Sequence, residues 1–181
     1  DGKIDGLDLV RDDKTDIPTF TGGLSVDLGY KNFDISFLIQ GATGAERAYT
    51  EFSGEAGNFR MDNVVGRWTP TNIDAKKPRA WNRTSQYWMA DGWPNNTYWV
   101  RNSNYLRLKT AQIGYTFPQK LIKKIGLDGF RVYASGLNLL TWTGLKDFDP
   151  ESPNTADGSI WVNSQVYPLN KNYTLGLTVT F

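Results

Sequence analysis

Three groups of residues have types and spacings suited to chemistry. The first is acidic: Asp1, Asp5 and Asp8, set around Gly2 and Gly6. With Asp1-Gly2 at the fifth and sixth positions of an EF-hand-like loop, Ile4 takes the eighth place, Asp5 the ninth and Asp8 the twelfth. Oxygen ligands so spaced suit Ca2+. The earlier ligands fall before residue 1, and Asp rather than Glu at the twelfth position weakens bidentate binding. A solvated acidic turn is the alternative. The second group is aromatic: Trp88, Trp93, Tyr98 and Trp99, in a stretch rich in Gly, Asn and Pro. Such rings stack on sugar faces, and they equally pack a loop, sit at a membrane interface or meet a partner protein. The third group is Asp147, Asp149 and Glu151. Carboxylates in a loop, with no defined pocket, do not make a glycosidase pair.

What is lacking narrows the field further. The chain has no His and no Cys. Serine–histidine, cysteine–histidine and histidine–zinc sites are therefore excluded within it, and an enzyme is not expected. A net charge of +1 over 181 residues gives no electrostatic reason for a nucleic-acid partner. No apolar run reaches the length of a spanning helix, and the N-terminus shows no signal peptide. Barrel strands escape that test, because their faces alternate and their hydropathy signal is weak.

The elements that must position these residues are strands. Leu24, Val26, Leu28 and Tyr30 alternate with Gly23, Ser25, Asp27 and Gly29, which predicts a strand over 19–30. Lys31-Asn32 reads as a tight hairpin turn, and Phe33, Ile35, Phe37 and Ile39 restart the pattern. Residues 43–102 then lose all periodicity. A third strand is expected over 104–117, where Ala111, Ile113, Tyr115 and Phe117 alternate. Leu106 and Leu108 stand on the opposite parity, which predicts a bulge or a strand end beyond the membrane. Gln119 to Ile125 reads as one or two helical turns stopped by Gly126. A fourth strand is expected over 129–139. Its facing is ambiguous, since Phe130, Val132 and Ala134 compete with Tyr133, Leu137 and Leu139. Residues 140–168 form a second long loop. The last strand alternates from Tyr173 through Leu175, Leu177 and Val179 to Phe181.

Three features favour a membrane barrel over a soluble β-sandwich that binds carbohydrate through exposed aromatics. The polar faces of the best strands carry Gly, Ser, Thr and Asp and almost no Lys or Glu, where a water-facing sheet would hold longer charged side chains. With the C-terminus on the periplasmic side, both long loops fall outside and both short turns inside. Under that topology Tyr30, Phe33, Phe117, Phe130 and Phe181 gather at the inner strand ends, as in an interfacial girdle. Thr174, Gly176, Val179 and Phe181 also fit the polar-x-Gly-x-x-apolar-x-aromatic pattern of a barrel-assembly signal. The expected fold is all-β: an antiparallel transmembrane β-barrel segment with two long extracellular loops. Residues 1–18 end an acidic extracellular loop, and 19–181 supply the last five strands.

Several motifs carry a family resemblance. Asn104-Tyr105-Leu106-Arg107-Leu108-Lys109, followed by Ile113-Gly114-Tyr115-Thr116-Phe117-Pro118, resembles the "YLRLKN…LGYTLP" region of SusC/RagA-type TonB-dependent transporters. Arg131 to Thr141 resembles the "RVYASGQNL" strand that follows there. Asp149-Pro150-Glu151 matches that family's DPE, and Tyr167-Pro168 precedes the last strand as it does in the family. Asp1 to Gly6 resembles the upstream acidic, DG-rich loop. The resemblance implies a plugged barrel of roughly 22 strands, of which this chain is the C-terminal part, without plug or TonB box. It further implies a place in the outer membrane of a Bacteroidetes-like cell. The implied activity is import of an oligosaccharide or peptide. A SusD-like lipoprotein would cap the outside loops, and the TonB complex would act through the plug.

Overall fold

A computed structural model describes residues 6–11, 13–50, 61–79, 97–145, 148–151, 161–163 and 167–181. Among the described residues eight strands form: β1 (Phe20–Tyr30), β2 (Phe33–Thr43), β3 (Glu46–Thr50), β4 (Val100–Asn102), β5 (Tyr105–Thr116), β6 (Gly129–Thr143), β7 (Trp161–Asn163) and β8 (Asn172–Thr180). Contacts divide the chain into two units. One comprises Ile17–Ala45, Ser103–Pro150 and Pro168–Phe181. The other comprises Asp1–Asp16, Glu46–Asn102 and Glu151–Tyr167.

The first unit is an open antiparallel sheet in the order β1-β2-β5-β6-β8. Each strand pairs with the next one in the chain that belongs to this sheet. At one end the connections are short: the turn at Lys31-Asn32, and residues 117–128 between β5 and β6. Both long insertions leave from the other end, after Thr43 and after Thr143. This is the loop asymmetry expected from the sequence. The hairpin turn places Lys31 in the left-handed region (φ 56°), and the Asn32 side-chain amide donates to the Thr116 carbonyl at 2.6 Å.

The parity conflict in the third strand resolves as a bulge at Lys109. Leu38 aligns with Thr110 and Ile39 with Leu108, so Lys109 is the extra residue. Below the bulge Ala111, Ile113 and Tyr115 share a face with Phe37, Ile35 and Phe33. Above it Leu108 and Leu106 join that same face beside Ile39 and Gly41. One added residue thus keeps both apolar sets on one side. Strand β6 answers with a longer irregularity of its own. Leu108 aligns with Leu140 and Thr110 with Leu137, with Asn138 at φ 52° between them. The facing of β6 is thereby settled: Phe130, Val132 and Ala134 lie on the apolar side and Tyr133 on the polar side. The strand also runs four residues beyond its expected end, to Thr143.

Gln119–Ile122 is a single α-turn, continued by a 3-10 turn at Lys123–Ile125. Gly126 ends it in the left-handed conformation (φ 78°), where a Cβ would be strained.

The second unit departs from the aperiodic reading of residues 43–102. Its described residues hold a three-stranded sheet in the order β4-β3-β7, antiparallel between β3 and β4 and parallel between β3 and β7. Strands of three to five residues are too short for a period of two to emerge from the sequence. Among the described residues no helix is long and apolar enough to cross a membrane, which leaves crossing by strands untouched.

Candidate functional site

The two faces of the five-stranded sheet differ in chemistry, and each is a candidate site. The apolar face is uncovered. Leu24, Leu28, Ile35, Ile113 and Leu177 are all exposed, and Leu175 is 86% exposed. Val179 is half-buried. A sandwich would bury these side chains against a second sheet. An open face of this extent on one sheet marks contact with something apolar.

Aromatic rings bound that face at the short-turn end. Phe33 and Tyr115 lie 4.6 Å apart between centroids, Tyr115 and Phe117 5.0 Å, and Phe117 and Phe130 5.0 Å. The row does not follow the hydrogen-bond register. Tyr30 aligns through Phe33 and Tyr115 with Val132 and Leu177. The aromatics of β6 and β8 sit two and four residues further on, at Phe130 and Phe181 (132 − 130 and 181 − 177). Four residues at roughly 3.4 Å, over four strand spacings of roughly 4.8 Å, give a tilt of about 35° between strands and the normal to the aromatic row. Transmembrane barrel strands tilt by about 35–45°. Phe20 marks the far edge of the face on β1, ten residues from Tyr30. Ten steps, corrected for that tilt, span about 28 Å, close to the thickness of a bilayer's hydrocarbon core. Trp142 stands near the same far edge on β6.

Small side chains at Ala111, Ala134 and Gly136 leave a shallow trough of about 540 Å³ on this face, between Phe37, Leu139 and Tyr173. Its lining suits a lipid tail, and offers little to a sugar or a peptide backbone.

Among the described residues the polar face carries two arginine–carboxylate pairs, one toward each end. Near the short turns, Arg131 grips Asp34 with both arms: Nη2 to Oδ2 at 2.5 Å and Nε to Oδ1 at 3.2 Å. Gly114 lies beneath them, where a Cβ would come within 2.6 Å of both Asp34 carboxylate oxygens. The same guanidinium stands 5.1 Å from the Tyr133 ring centroid. That ring in turn covers Gly176, its direct partner across the β6–β8 pair. Asp34, Arg131 and Tyr133 thus form one row over two glycines.

Near the long insertions, Arg107 is buried. Its Nη2 donates to Asp149 Oδ1 at 2.7 Å, and its Nε to Thr141 Oγ1 at 2.9 Å. The Arg107 and Asp149 side chains are 3% and 7% exposed. The other Asp149 oxygen accepts the Leu169 N–H at 3.0 Å. One carboxylate therefore joins β5 to both ends of the second insertion. Ser103 and Asn104 close the first insertion in the same way: the Ser103 N–H and hydroxyl donate to the Ala45 carbonyl, and Asn104 Oδ1 accepts the Gly44 N–H at 2.8 Å.

The residues singled out in the sequence are distributed as follows. Trp88 and Trp93 lie outside the described residues, as do Asp1, Asp5 and Asp147. Tyr98 and Trp99 are neighbours in edge-to-face contact at 5.0 Å, and Trp99 is 4% exposed. Asp8 ends an exposed 3-10 turn. Among the described residues no group of three or more His, Cys, Asp and Glu side chains could hold a metal ion. In β8, Thr174 stands on the polar face opposite Ser135, Gly176 lies under Tyr133, and Val179 faces Phe130. Phe181 is exposed at the short-turn end. Sequence reasoning passed over Arg107 and Arg131, although both stand in the quoted motifs. Arg131 shares the parity of Tyr133, and lies on the polar face once strand pairing fixes the facing of β6. Arg107 reaches that face only because of the bulge.

Comparison with known proteins accords with this geometry. No protein-family model matches the chain. It is 34% identical over 173 residues to TonB-dependent receptor P3 of Formosa agariphila, covering 91% of the chain and 16% of that protein. The chain is a homologue of the TonB-dependent receptors. TonB-dependent receptor SusC of Bacteroides thetaiotaomicron is 27% identical over 161 residues, covering 88% of the chain and 15% of the protein. A solved structure of the RagAB peptide transporter superposes with a TM-score of 0.71 at 27% identity, over 95% of the chain and 18% of that structure's chain. The chain thus spans about a sixth of the length of the relatives it matches. Its open sheet has the architecture of a segment of a TonB-dependent receptor barrel.

The Tyr133–Gly176 contact makes a testable demand on that segment. In a receptor that contains it, Gly176→Val is expected to destabilise the folded barrel by about 1–3 kcal/mol, because the added methyls meet the Tyr133 ring. Removing the ring as well, in Tyr133→Ala/Gly176→Val, should restore part of the loss. Urea midpoints of the detergent-folded protein measure both. Equal midpoints for Gly176→Val and wild type would show that the ring moves aside freely.

Proposed function

We propose that this chain is the C-terminal barrel portion of an outer-membrane TonB-dependent importer, and that the whole protein takes up an oligosaccharide or a peptide. The observation that carries the reading is the uncovered apolar face, bounded by an aromatic row at the angle and height a bilayer requires. The polar face then lines the barrel interior. Its small side chains leave room for a plug, and its two ion pairs hold their charges against each other rather than against a passing substrate.

In this reading the two insertions face the outside. Tyr98, with Trp88 and Trp93, belongs to the surface that meets substrate or a SusD-like lipoprotein, and the buried Trp99 packs against Tyr98. Thr174, Gly176, Val179 and Phe181 form the signal by which the barrel is assembled into the membrane. Energy comes from the TonB complex through a plug carried elsewhere in the whole protein. The relatives are named as receptors and importers, which supports transport rather than catalysis.

Fractionation of cells expressing the full-length receptor tests the reading. The protein is expected in the outer-membrane fraction, with a folded form that migrates faster on unheated gels. A tagged copy should capture a lipoprotein, and growth on the imported nutrient should fail without TonB. Recovery as a detergent-independent soluble protein would overturn the proposal.

A further inference from the structure

The connection between β5 and β6 carries a feature that barrel closure does not use. Within Gln119–Ile125, Lys120, Lys123 and Lys124 are exposed and stand on two consecutive helical turns. None has an ion-pair partner among the described residues. Leu121 and Ile125, four residues apart on the same turns, are 57% and 72% exposed. Ile122 is buried and pins the segment. The Leu127 N–H donates to the Ile122 carbonyl, and the Asp128 N–H to Thr180 at 2.9 Å. The segment is thus held rigidly while it presents two large apolar side chains among three cations. The only acidic residue in the connection is Asp128.

Its place matters as much as its composition. Phe117, which precedes it, and Phe130, which follows it, are members of the aromatic row. Lys31 stands at the other short turn of the same sheet end, over the Tyr30 ring. Apolar side chains beside lysines, at the level of an aromatic girdle, match a membrane's interfacial layer: alkyl groups reach the acyl boundary and ammonium groups meet phosphates.

We propose that Gln119–Ile125 docks onto anionic phospholipid headgroups of the leaflet at the short-turn end, with Lys120, Lys123 and Lys124 on the phosphates and Leu121 and Ile125 in the acyl boundary. The proposal rests on the barrel reading above. It adds a lipid-selective clamp beside the barrel's last hairpin.

The test uses the full-length receptor in detergent, titrated with phosphatidylglycerol or phosphatidylcholine and followed by thermal unfolding. Heat-modifiable gel mobility first establishes that each variant is a folded barrel. The wild type should gain more thermal stability from phosphatidylglycerol, and high salt should erase the excess. Each lysine-to-glutamine change should weaken phosphatidylglycerol association about fivefold, and Lys120→Gln/Lys123→Gln/Lys124→Gln should remove the preference. Leu121→Ser/Ile125→Ser should weaken both lipids, and Lys171→Gln, near the other end, neither. A folded wild type that responds equally to the two lipids overturns this proposal and leaves the barrel reading standing. The same shift produced by inorganic phosphate overturns it in favour of a free-anion site. A triple variant equally destabilised in phosphatidylcholine assigns the lysines to the fold, and also overturns it. A wild type that never forms a heat-modifiable barrel overturns both readings.

Discussion

Replacing Arg107 by alanine is expected to destabilise a receptor that contains this segment by about 3–5 kcal/mol, the cost typical of removing one partner from a buried ion pair. The Asp149 carboxylate would remain almost fully buried, its Oδ2 still accepting the Leu169 N–H at 3.0 Å. Asp149→Ala should cost as much, because it strands a guanidinium beside Thr141. The double replacement Arg107→Met/Asp149→Leu should be far milder, since neither charge is then left buried. Arg107→Lys should fall between, because a lysine has no Nε–H for Thr141 and no planar fork. Guanidinium midpoints followed by tryptophan fluorescence would rank the four variants. A loss below about 1 kcal/mol for Arg107→Ala would place the pair among solvated surface bridges. Asp149→Ala should also open the second insertion to protease, because Asp149 and Leu169 flank it and meet at that carboxylate.

The second large effect belongs to the apolar face. Leu175 lies six residues from Phe181, near the middle of the belt, and is 86% exposed. For a water-facing side chain, Leu175→Arg would change stability by no more than about 0.5 kcal/mol. Facing lipid at mid-depth, it should cost about 2–4 kcal/mol. Leu28→Arg, two residues from Tyr30 and near the interface, should cost about 0–1 kcal/mol. The depth gradient separates lipid from water, because water has no depth. Refolding into vesicles at graded denaturant gives both values, and equal small losses at the two positions would contradict a bilayer contact.

Much of this architecture was legible in the sequence because period-two alternation survives wherever a strand has one apolar side. Residues 20–30 and 172–180 are of that kind. The parity conflict between Leu106–Leu108 and Ala111–Phe117 was itself information, since a strand that must keep one face apolar needs an extra residue between them. That residue could not be named as Lys109 without the partner strand, because a bulge is a property of a pair. The same holds for Asn138, whose compensating irregularity hid the facing of β6. Arg107 and Asp149 stand 42 residues apart, and nothing local to either reports the other. Residues 43–102 read as aperiodic because the strands at Glu46–Thr50 and Val100–Asn102 are too short to show a period. The calcium reading rests on the spacing of Asp1, Asp5 and Asp8 and the sugar reading on aromatic residue type, and Asp1, Asp5, Trp88 and Trp93 lie outside the described residues.

The central claim is that one side of the sheet touches lipid and the other does not. Spin labels at single introduced cysteines read this directly, since the chain contributes no cysteine of its own. Labels at Leu24, Ile35, Ile113 and Leu177 should collide freely with dissolved oxygen and poorly with a water-soluble nickel chelate. Labels at Ser25, Ser36, Gln112 and Thr178 should lose that oxygen preference. An alternation with period two along each strand is the expected result. Nickel accessibility at Leu24, Ile35, Ile113 and Leu177 in the membrane-reconstituted receptor would contradict the account.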